Sequence, residues 1–326
     1  MICYFCLTAP DHRNEVYTNL FKVSLESALS NTTLDIKILY DGPQSHTIID
    51  ILNRNKSLYP NRISIIPHEF SRKKYLPLAY PDNYLRKRKI SSSYDKISGT
   101  FMRLDVPFIE TQDDFVLYSD IDVYFNDNIL LNNLSKPEYL SAAPEFQKTF
   151  KDMPYFNAGI LLLNTRNMRE KCKKIFLDLE RGIPNDIGLF DQGFLNQYCL
   201  HEMDPLPLEY NWKPYWGINH QAKIIHYHGM KPGGDYSNSG FCMNEKTLKR
   251  LSNIYPDSIC GLVYYTQLYF RKLGLPSEEL FCKFVEDLVR ANQKSSIENV
   301  EHISSKDLLH ILSKYLKRKL SLTSLK

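Results

Sequence analysis

The stretch Val116-Leu-Tyr-Ser-Asp120-Ile-Asp122-Val-Tyr-Phe125 joins an apolar run to two acids, and the rest of the chain can be interpreted around it. The β-branched and aromatic residues within 114–118 predict a buried strand. Because side chains alternate across a strand, Asp120 and Asp122 are expected to point the same way at its end. Two such carboxylates suit Mg²⁺ or Mn²⁺ bound with substrate phosphates, so the pattern predicts a metal and diphosphate site; a solvated strand end is the alternative.

Strands and helices alternate before this stretch. The predicted elements are strands at residues 2–8, 34–40 and 62–67 and helices at residues 14–29 and 48–52. This order is typical of an α/β fold in which helices flank a mostly parallel sheet. Ligands of such sheets bind beyond the carboxyl ends of strands, where Asp11 and the acid pair are expected to lie.

The same alternation continues after the acid pair and then gives way to helices. One more helix is predicted before the acid pair, at residues 98–108. After the pair, helices are predicted at residues 166–181 and 191–199 and strands at residues 139–143, 155–164, 206–212 and 222–226. Residues 69–93 are predicted to be a long loop with two basic clusters, Arg72-Lys73-Lys74 and Arg86-Lys87-Arg88-Lys89. The clusters form either a solvated surface or a patch for an anionic partner. We therefore predict a catalytic domain over residues 1–240 and a C-terminal helical region over residues 241–326.

The last predicted helix, residues 306–320, carries leucines on one face and basic residues beside them. Such a helix can lie on an anionic membrane surface or can pack on its own domain. The net charge of +4 is too balanced to favour nucleic acid as a partner. The chain has no signal-peptide pattern, and its seven cysteines are scattered, which predicts a cytoplasmic protein. If the last helix lies on a membrane, the protein is expected to be peripheral on the inner face.

Four short motifs occur in a fixed order along the chain. They are Asp120-Ile-Asp122, Phe156-Asn-Ala-Gly159, Asp191-Gln-Gly193 with Asn196, and His226-x-x-Gly229-x-Lys231-Pro232. With these motifs the chain resembles, over residues 1–235, glycosyltransferase family 8, the retaining enzymes that include glycogenins and bacterial lipopolysaccharide or lipooligosaccharide glucosyl- and galactosyltransferases. The resemblance implies a GT-A fold and transfer of glucose or galactose from a UDP-sugar to a glycan or glycolipid acceptor.

The resemblance also implies a metal and phosphate site. Asp120, Asp122 and His226 would bind Mn²⁺, with Mg²⁺ as an alternative, and Gly229 and Lys231 would contact the donor phosphates. An imidazole beside two carboxylates suits Mn²⁺ better than Mg²⁺. The family's loop usually reads His-x-x-Gly-x-x-Lys-Pro-Trp, so this chain is one residue shorter before the lysine. His228 is an alternative ligand to His226, because residues two apart in a strand point to the same side.

The remaining implied contacts are with the uridine and the donor sugar. Ala9 and Asp11 would line the uridine pocket. The residues implied around the sugar are Arg103, Asn157, Ala158, Asp191 and Gln192, of which Asp191 and Gln192 are the candidate catalytic residues. Since the matched residues other than Asp191 and the acid pair offer no strong nucleophile, attack by the acceptor hydroxyl on the face from which the diphosphate departs is favoured over a covalent intermediate.

Two other functions remain open at this point. A protein that binds nucleotide sugars or glycans without turnover could keep the same fold, and the shortened loop before Lys231 favours it. A metal-dependent phosphodiesterase or nucleotidyltransferase could use the same acid pair. The second alternative gives no role to Asn157 or to Asp191 and Gln192.

Overall fold

A computed structural model describes residues 1–9, 15–87, 93–185, 187, 190–229, 231–232 and 253–274. Seven strands form the main sheet in the order β3-β2-β1-β4-β7-β6-β8, and two more form a separate antiparallel pair. The main strands are β1 (Ile2–Thr8), β2 (Asp35–Asp41), β3 (Ile63–Pro67), β4 (Phe115–Ser119), β6 (Leu140–Pro144), β7 (Phe156–Asn164) and β8 (Asp204–Pro205). The separate pair is β5 (Val123–Phe125) and β9 (Ile224–His226).

The helices that flank the main sheet are α1 (Glu15–Asn31), α2 (Thr47–Leu58), α3 (Leu76–Ala79), α4 (Asp82–Lys87), α5 (Tyr94–Phe101), α6 (Val106–Ile109), α7 (Thr165–Glu180) and α8 (Phe190–Cys199). A further helix, α9 (Ser258–Leu273), follows later in the chain. Strands β3, β2, β1 and β4 pair in parallel, as do β6 and β8, while β7 runs antiparallel to both of its neighbours. The expected α/β fold with a mostly parallel sheet is confirmed.

The apolar runs of the central strands follow from their burial on both faces. In β1 every residue after Ile2 is buried, and in β7 every residue before Asn164 is buried. Strands covered by helices on both sides need continuous apolar sequence instead of alternation. Helix starts are marked by polar caps: Asn164 accepts a hydrogen bond from the backbone of Asn167 at the start of α7, and Ser93 accepts one from Lys96 at the start of α5.

The direction of β7 decides where the functional residues meet. Its register with β4 pairs Ser119 with Ile160 and Phe115 with Asn164. The last residue of β4 therefore lies beside the first half of β7, and the backbone N–H of Asp120 donates a 2.7 Å hydrogen bond to Gly159 O. An antiparallel neighbour thus brings the beginning of one strand to the edge where its partner ends.

Three expectations about secondary structure are wrong, and proline accounts for each. Residues 69–93 are not one loop, because α3 and α4 lie within them; Pro77 lies in the first turn of α3, and Pro81 immediately precedes α4. The helix expected over 98–108 is broken between α5 and α6, where Pro107 sits in the first turn of α6. The strand expected over 206–212 is a 3₁₀ turn, since Pro207 cannot donate to a ladder.

The first basic cluster of residues 69–93 is paired with acids. Arg72 Nε lies 2.6 Å from Glu180, and Lys73 Nζ lies 2.9 Å from Asp95 and 2.8 Å from Glu69. These contacts favour the solvated-surface interpretation of this cluster over a patch for an anionic partner. Residues 88 and 89 of the second cluster lie outside the described residues.

The described chain divides into two compact units. The first comprises Met1–Trp212 with Gln221–His226, and the second comprises Lys213–His220 with the described residues from 227 onward. In the second unit Tyr227 donates a 2.7 Å hydrogen bond from its hydroxyl to Tyr265 O of α9. The boundary expected at residues 240 and 241 and the helices expected beyond residue 274 lie outside the described residues and stay predictions. Among the helices that the structure describes, none is both long and apolar enough to cross a membrane.

Candidate active site

The acid pair lies in the bend between β4 and β5. Asp120 and Asp122 are not part of a strand, so the alternation expected for them does not apply. The bend instead turns both residues toward the same place: their carboxylates and the ring of His226 each offer one ligand atom, and these atoms all lie within 4.8 Å of one another. Asp122 and His226 are buried, whereas Asp120 is half-buried.

The pairing of β5 with β9 brings His226 to the acids. Val123 is opposite His226 in this antiparallel pair, so the histidine lies next to Asp122 although the two are 104 residues apart in sequence (226 − 122). His226 Nε2 is 3.5 Å from Asp122 Oδ1. The other ring nitrogen, Nδ1, is 3.0 Å from Asn211 Oδ1.

Gly159 leaves room for this triad of Asp120, Asp122 and His226. A Cβ atom on Gly159 would overlap His226 Cε1 and would lie 3.0 Å from Asp120 Oδ2. A residue with any side chain would therefore fill the space between two of the three ligand groups. Two carboxylates and an imidazole around such a space suit a divalent transition-metal ion, so the residues present fit a metal.

Arg103 joins the acid pair to the helix α8. Its Nη2 lies 2.9 Å from Asp120 Oδ1, and its Nε lies 2.8 Å from Asp191 Oδ2. The guanidinium also donates to Ala158 O and lies over the ring of Tyr118, 4.5 Å from its centre. Burial alone would lower the pKa of Arg103, but the two carboxylates raise it above its usual value, so the guanidinium keeps its charge in the interior.

Asp191 stands in the first turn of α8, after Phe190, whose φ of 51° lies in the left-handed region. The Asp191 side chain is 4% exposed. Burial raises the pKa of Asp191, and Arg103 acts in the opposite direction. An acid held this way serves as the fixed partner of the guanidinium, which in turn orients Asp120.

Two side-chain amides meet at Glu145, directly after β6. Asn157 Nδ2 donates to Glu145 Oε2 over 2.8 Å, and Gln192 Nε2 donates to the same oxygen over 3.1 Å. The backbone N–H of Ala158 donates to Gln192 Oε1 over 2.8 Å. A pocket of about 410 Å³ opens at Glu145, Gln147 and Gln192, and the other side chains that line it are apolar or aromatic: Phe146, Pro154, Tyr155 and Ile187.

The sequence profile of glycosyl transferase family 8 matches residues 12–235, more than two thirds of the chain. The chain belongs to glycosyltransferase family 8. It is therefore a glycosyltransferase, as the four motifs indicate. No curated protein sequence matches the chain.

Solved structures of glycosyltransferases share the fold. The galactosyltransferase LgtC, in complex with donor and acceptor sugar analogues, is 19% identical, with 78% of this chain and 96% of LgtC aligned at a TM-score of 0.50. GlyE from Streptococcus pneumoniae TIGR4 is 20% identical, with 73% of this chain and 57% of that chain aligned at a TM-score of 0.50. The bifunctional glycosyltransferase WbbM is 16% identical over 83% of this chain and 51% of that chain, also at 0.50. These similarities confirm the GT-A fold.

The other residues implied by family 8 are Ala9, Asp11, Gly229 and Lys231, with His228 as the alternative metal ligand. Ala9 follows β1 and its backbone N–H donates to Asp41 O, while Asp11 is not among the described residues. Gly229 has a φ of 82°, which favours glycine, and Lys231 is half-buried; both belong to the second unit. His228 Nδ1 is 3.0 Å from the hydroxyl of Tyr215 in that same unit.

Three residues of the site have no motif in the sequence: Tyr118, Glu145 and Asn211. Tyr118 is a buried residue of β4 whose hydroxyl donates to Asp120 Oδ1 over 2.7 Å. Glu145 is recognisable only as an acid immediately after a strand, and Asn211 only as a polar residue of a turn. The pairing of β6 with β7 and of residue 212 with Ile225 brings them to the site, and neither pairing leaves a local signal.

Proposed function

We propose that this family 8 enzyme is a metal-dependent retaining hexosyltransferase that moves glucose or galactose from a UDP-sugar to a glycan or glycolipid acceptor. The observation that carries the proposal is the triad of Asp120, Asp122 and His226, with ligand atoms within 4.8 Å of one another beside the buried Arg103. An acid pair and an imidazole at the edge of a sheet suit the diphosphate of a nucleotide sugar.

The triad would hold Mn²⁺, with Mg²⁺ as the alternative. When bound, a divalent cation there supplies positive charge to the departing diphosphate. Arg103 would help to form the metal site by orienting Asp120. Its Nη2 pairs with Asp120 Oδ1, and the other oxygen, Oδ2, lies on the side of Gly159. Gly229 and Lys231 are proposed to contact the phosphates, and Ala9 and Asp11 the uridine.

The donor sugar is proposed to lie against Asn157, Ala158, Asp191 and Gln192. Gln192 faces both the pocket and Glu145, which supports a position close to the anomeric carbon. Asp191 is buried and paired with Arg103 at 2.8 Å, a poor arrangement for a nucleophile. This arrangement supports attack by the acceptor hydroxyl on the face that the diphosphate leaves, without a covalent intermediate.

The acceptor is proposed to enter the pocket beside Gln192. Phe146 is 49% exposed and Ile187 is 39% exposed there, and Tyr155 adds a second aromatic side chain. Exposed aromatic and apolar walls next to a few polar groups are typical of sites for sugars and their apolar substituents. A glycan or glycolipid of lipopolysaccharide or surface polysaccharide synthesis fits this character.

Donor hydrolysis by the purified chain tests the proposal. UDP-, GDP- and CMP-sugars would be incubated with Mn²⁺ or with a chelator, and release of UDP, GDP or CMP would be measured. We expect UDP release from UDP-glucose or UDP-galactose only when metal is present. Metal-independent release, or release of a different nucleotide, would contradict the proposal.

A non-catalytic nucleotide-sugar or glycan-binding protein is the second candidate. The one-residue-shorter loop between Gly229 and Lys231 favours it, because that loop carries the proposed phosphate ligand. Tight UDP binding without release from any donor, even with candidate acceptors present, would support this candidate.

We also propose that the enzyme works in the cytoplasm, with peripheral contact to the anionic inner face of the membrane through residues 306–320. The charge pattern of this segment supports the contact, since each basic residue near such a surface contributes about 1 kcal/mol. Removal of residues 306–326 should release the protein from anionic vesicles and leave donor hydrolysis intact. Unchanged vesicle sedimentation would contradict the membrane contact.

A further inference from the structure

A chain of hydrogen bonds joins the proposed metal triad to the proposed donor-sugar residues. His226 Nδ1 is 3.0 Å from Asn211 Oδ1, Asn211 Nδ2 donates over 3.0 Å to Asn157 Oδ1, and Asn157 Nδ2 donates over 2.8 Å to Glu145 Oε2. We call these four side chains the amide chain. Asn211 is 0% exposed and Asn157 is 3% exposed, so their polar groups depend on these neighbours and not on bulk water.

The backbone of β7 sets the direction of the amide chain. The N–H of Gly159 donates over 3.0 Å to Asn157 Oδ1. A backbone N–H can only donate, so the side-chain atom that it meets must be the oxygen of Asn157. The NH₂ group of Asn157 therefore faces Glu145, whose carboxylate accepts it. The N–H of Ala158 orients Gln192 in the same way, with the NH₂ group of Gln192 also facing Glu145.

This direction continues to His226. Because Asn157 presents its oxygen, Asn211 must present its NH₂ group to Asn157 and its oxygen to the histidine. An amide oxygen only accepts, so Nδ1 of His226 carries a proton. In the neutral ring Nε2 then has a lone pair, and this atom is 3.5 Å from Asp122 Oδ1. A lone pair facing a carboxylate is repulsive unless a cation lies between them, which is the arrangement that a metal site requires.

We propose that Asn211 is a positioning residue that holds His226 in the Nδ1–H tautomer and, through the amide chain, links this tautomer to the amides of Asn157 and Gln192. Asn211 contacts two of the residues assigned to metal and donor sugar, and its role is exerted through them. The link makes the metal ligand and the sugar-binding amides one hydrogen-bonded unit. The inference rests on the proposed metal role of the triad.

The first test is Mn²⁺ affinity, measured on the full-length chain by titration with electron paramagnetic resonance. Asn211→Leu removes the acceptor for His226, and we expect the affinity to fall by about 10- to 100-fold, the usual effect of losing a partner behind a metal ligand. Asn55→Leu is the matched control. Asn55 is also a buried asparagine, bonded to Ile51 O in α2, and its replacement should leave the affinity unchanged.

The second test is the tautomer itself, which a merely structural role of Asn211 would not change. The chain labelled with ¹⁵N-histidine would be studied by NMR without metal at alkaline pH, where imidazoles are neutral. The His226 signals would be assigned by their loss in His226→Gln. We expect the Nδ1–H form in the native chain and in Asn211→Asp, which keeps an oxygen facing His226. Asn211→Leu should show the Nε2–H form or a mixture.

An Nε2–H form in the native chain would overturn the inference, whether or not Asn211→Leu folds. Native tautomer and native Mn²⁺ affinity in a folded Asn211→Leu variant would also overturn it. Failure of the proposed function looks different: the native chain would not bind Mn²⁺, whereas the NMR result would still decide whether Asn211 sets the tautomer.

Discussion

Arg103 Nη2 lies 2.9 Å from Asp120 Oδ1, and the same guanidinium lies 2.8 Å from Asp191 through its Nε. The three side chains come from a 3₁₀ turn, a bend after β4 and the first turn of α8. A planar guanidinium can hold two carboxylates at fixed angles, and here this geometry connects the proposed metal ligand to the proposed sugar contact.

Arg103→Lys tests this connection. A lysine keeps the charge but offers one compact ammonium, so we expect it to lose at least one of the two ion pairs and to lower kcat/KM by about tenfold to a hundredfold. Steady-state kinetics with whichever of UDP-glucose and UDP-galactose the native chain hydrolyses would measure the change. Native kinetics in the lysine variant would mean that the charge alone matters.

Asp122→Asn should abolish Mn²⁺-dependent donor hydrolysis and leave the fold intact, because an amide is a far weaker ligand than a carboxylate. Circular dichroism and a metal titration would check both parts. Asp127→Asn is the matched control, since Asp127 is an exposed acid just beyond β5 that pairs with Lys223. Retained activity in Asp122→Asn would refute the proposed metal role of this acid.

His226→Ala and His228→Ala separate the two candidate imidazole ligands. We expect His226→Ala to lose Mn²⁺ affinity, because His226 Nε2 is 3.5 Å from Asp122. His228→Ala should keep near-normal Mn²⁺ dependence, because its ring contacts the hydroxyl of Tyr215. The opposite result would transfer the proposed ligand role to His228.

Gly159→Ala should weaken metal binding without removing any ligand. The added Cβ would overlap His226 Cε1, so the imidazole must move away from the acids or β7 must shift. Overpacking of this kind costs about 1–3 kcal/mol of stability. Thermal unfolding without metal would give that cost, and Mn²⁺ titration would give the loss of affinity. Unchanged affinity would show that the space beside Gly159 is not needed by the ion.

Glu110 provides a test of stability against pH. Burial acts to raise the pKa of this carboxylate, but four hydrogen-bond donors outweigh burial and lower the pKa to about 2. These donors are Lys37, the backbone N–H of Gln112, Tyr4 and the backbone N–H of Asp113. A folded-state pKa below the unfolded value of about 4.3 stabilises the protein above that pH, and this contribution is lost as the pH falls toward 2.

Glu110→Gln should therefore lower the free energy of unfolding by about 3 kcal/mol at pH 7. The difference from the native chain should shrink steadily between pH 4.5 and pH 2. Urea unfolding across this range would measure it. A constant difference at all pH values would mean that packing, not the charge of Glu110, accounts for the loss.

Much of the fold could be predicted from apolar runs and their spacing. The β1, α1, β2, α2 and β3 order follows from such patterns, since buried parallel strands need continuous apolar sequence. The direction of β7 could not be predicted, because its sequence would be equally apolar in either direction. Yet that direction brings Asn157 and Gly159 to the end of β4, where Asp120 lies.

Some residues of the candidate site could be predicted from the sequence, and others could not. Asp120, Asp122, Asp191 and His226 stand in recognisable short motifs, whereas Glu145 and Asn211 reach the site only through strand pairing. The expected reason for the convergence of Asp120 and Asp122 was wrong, because they occupy a bend and not a strand. A short motif shows which residue types stand near one another in the sequence. It does not show their hydrogen-bonding partners, which can be distant in the sequence.

The pairing of β5 with β9 has a consequence for folding. About a hundred residues separate Asp120 and Asp122 from His226, so the three proposed metal ligands come together only after this short two-stranded sheet has closed. An ion that binds only the closed form stabilises it by about 2.7 kcal/mol at a free concentration one hundred times its Kd. Metal supply would thereby control how long the chain survives proteolysis, and resistance to protease would report metal occupancy even when no acceptor is known.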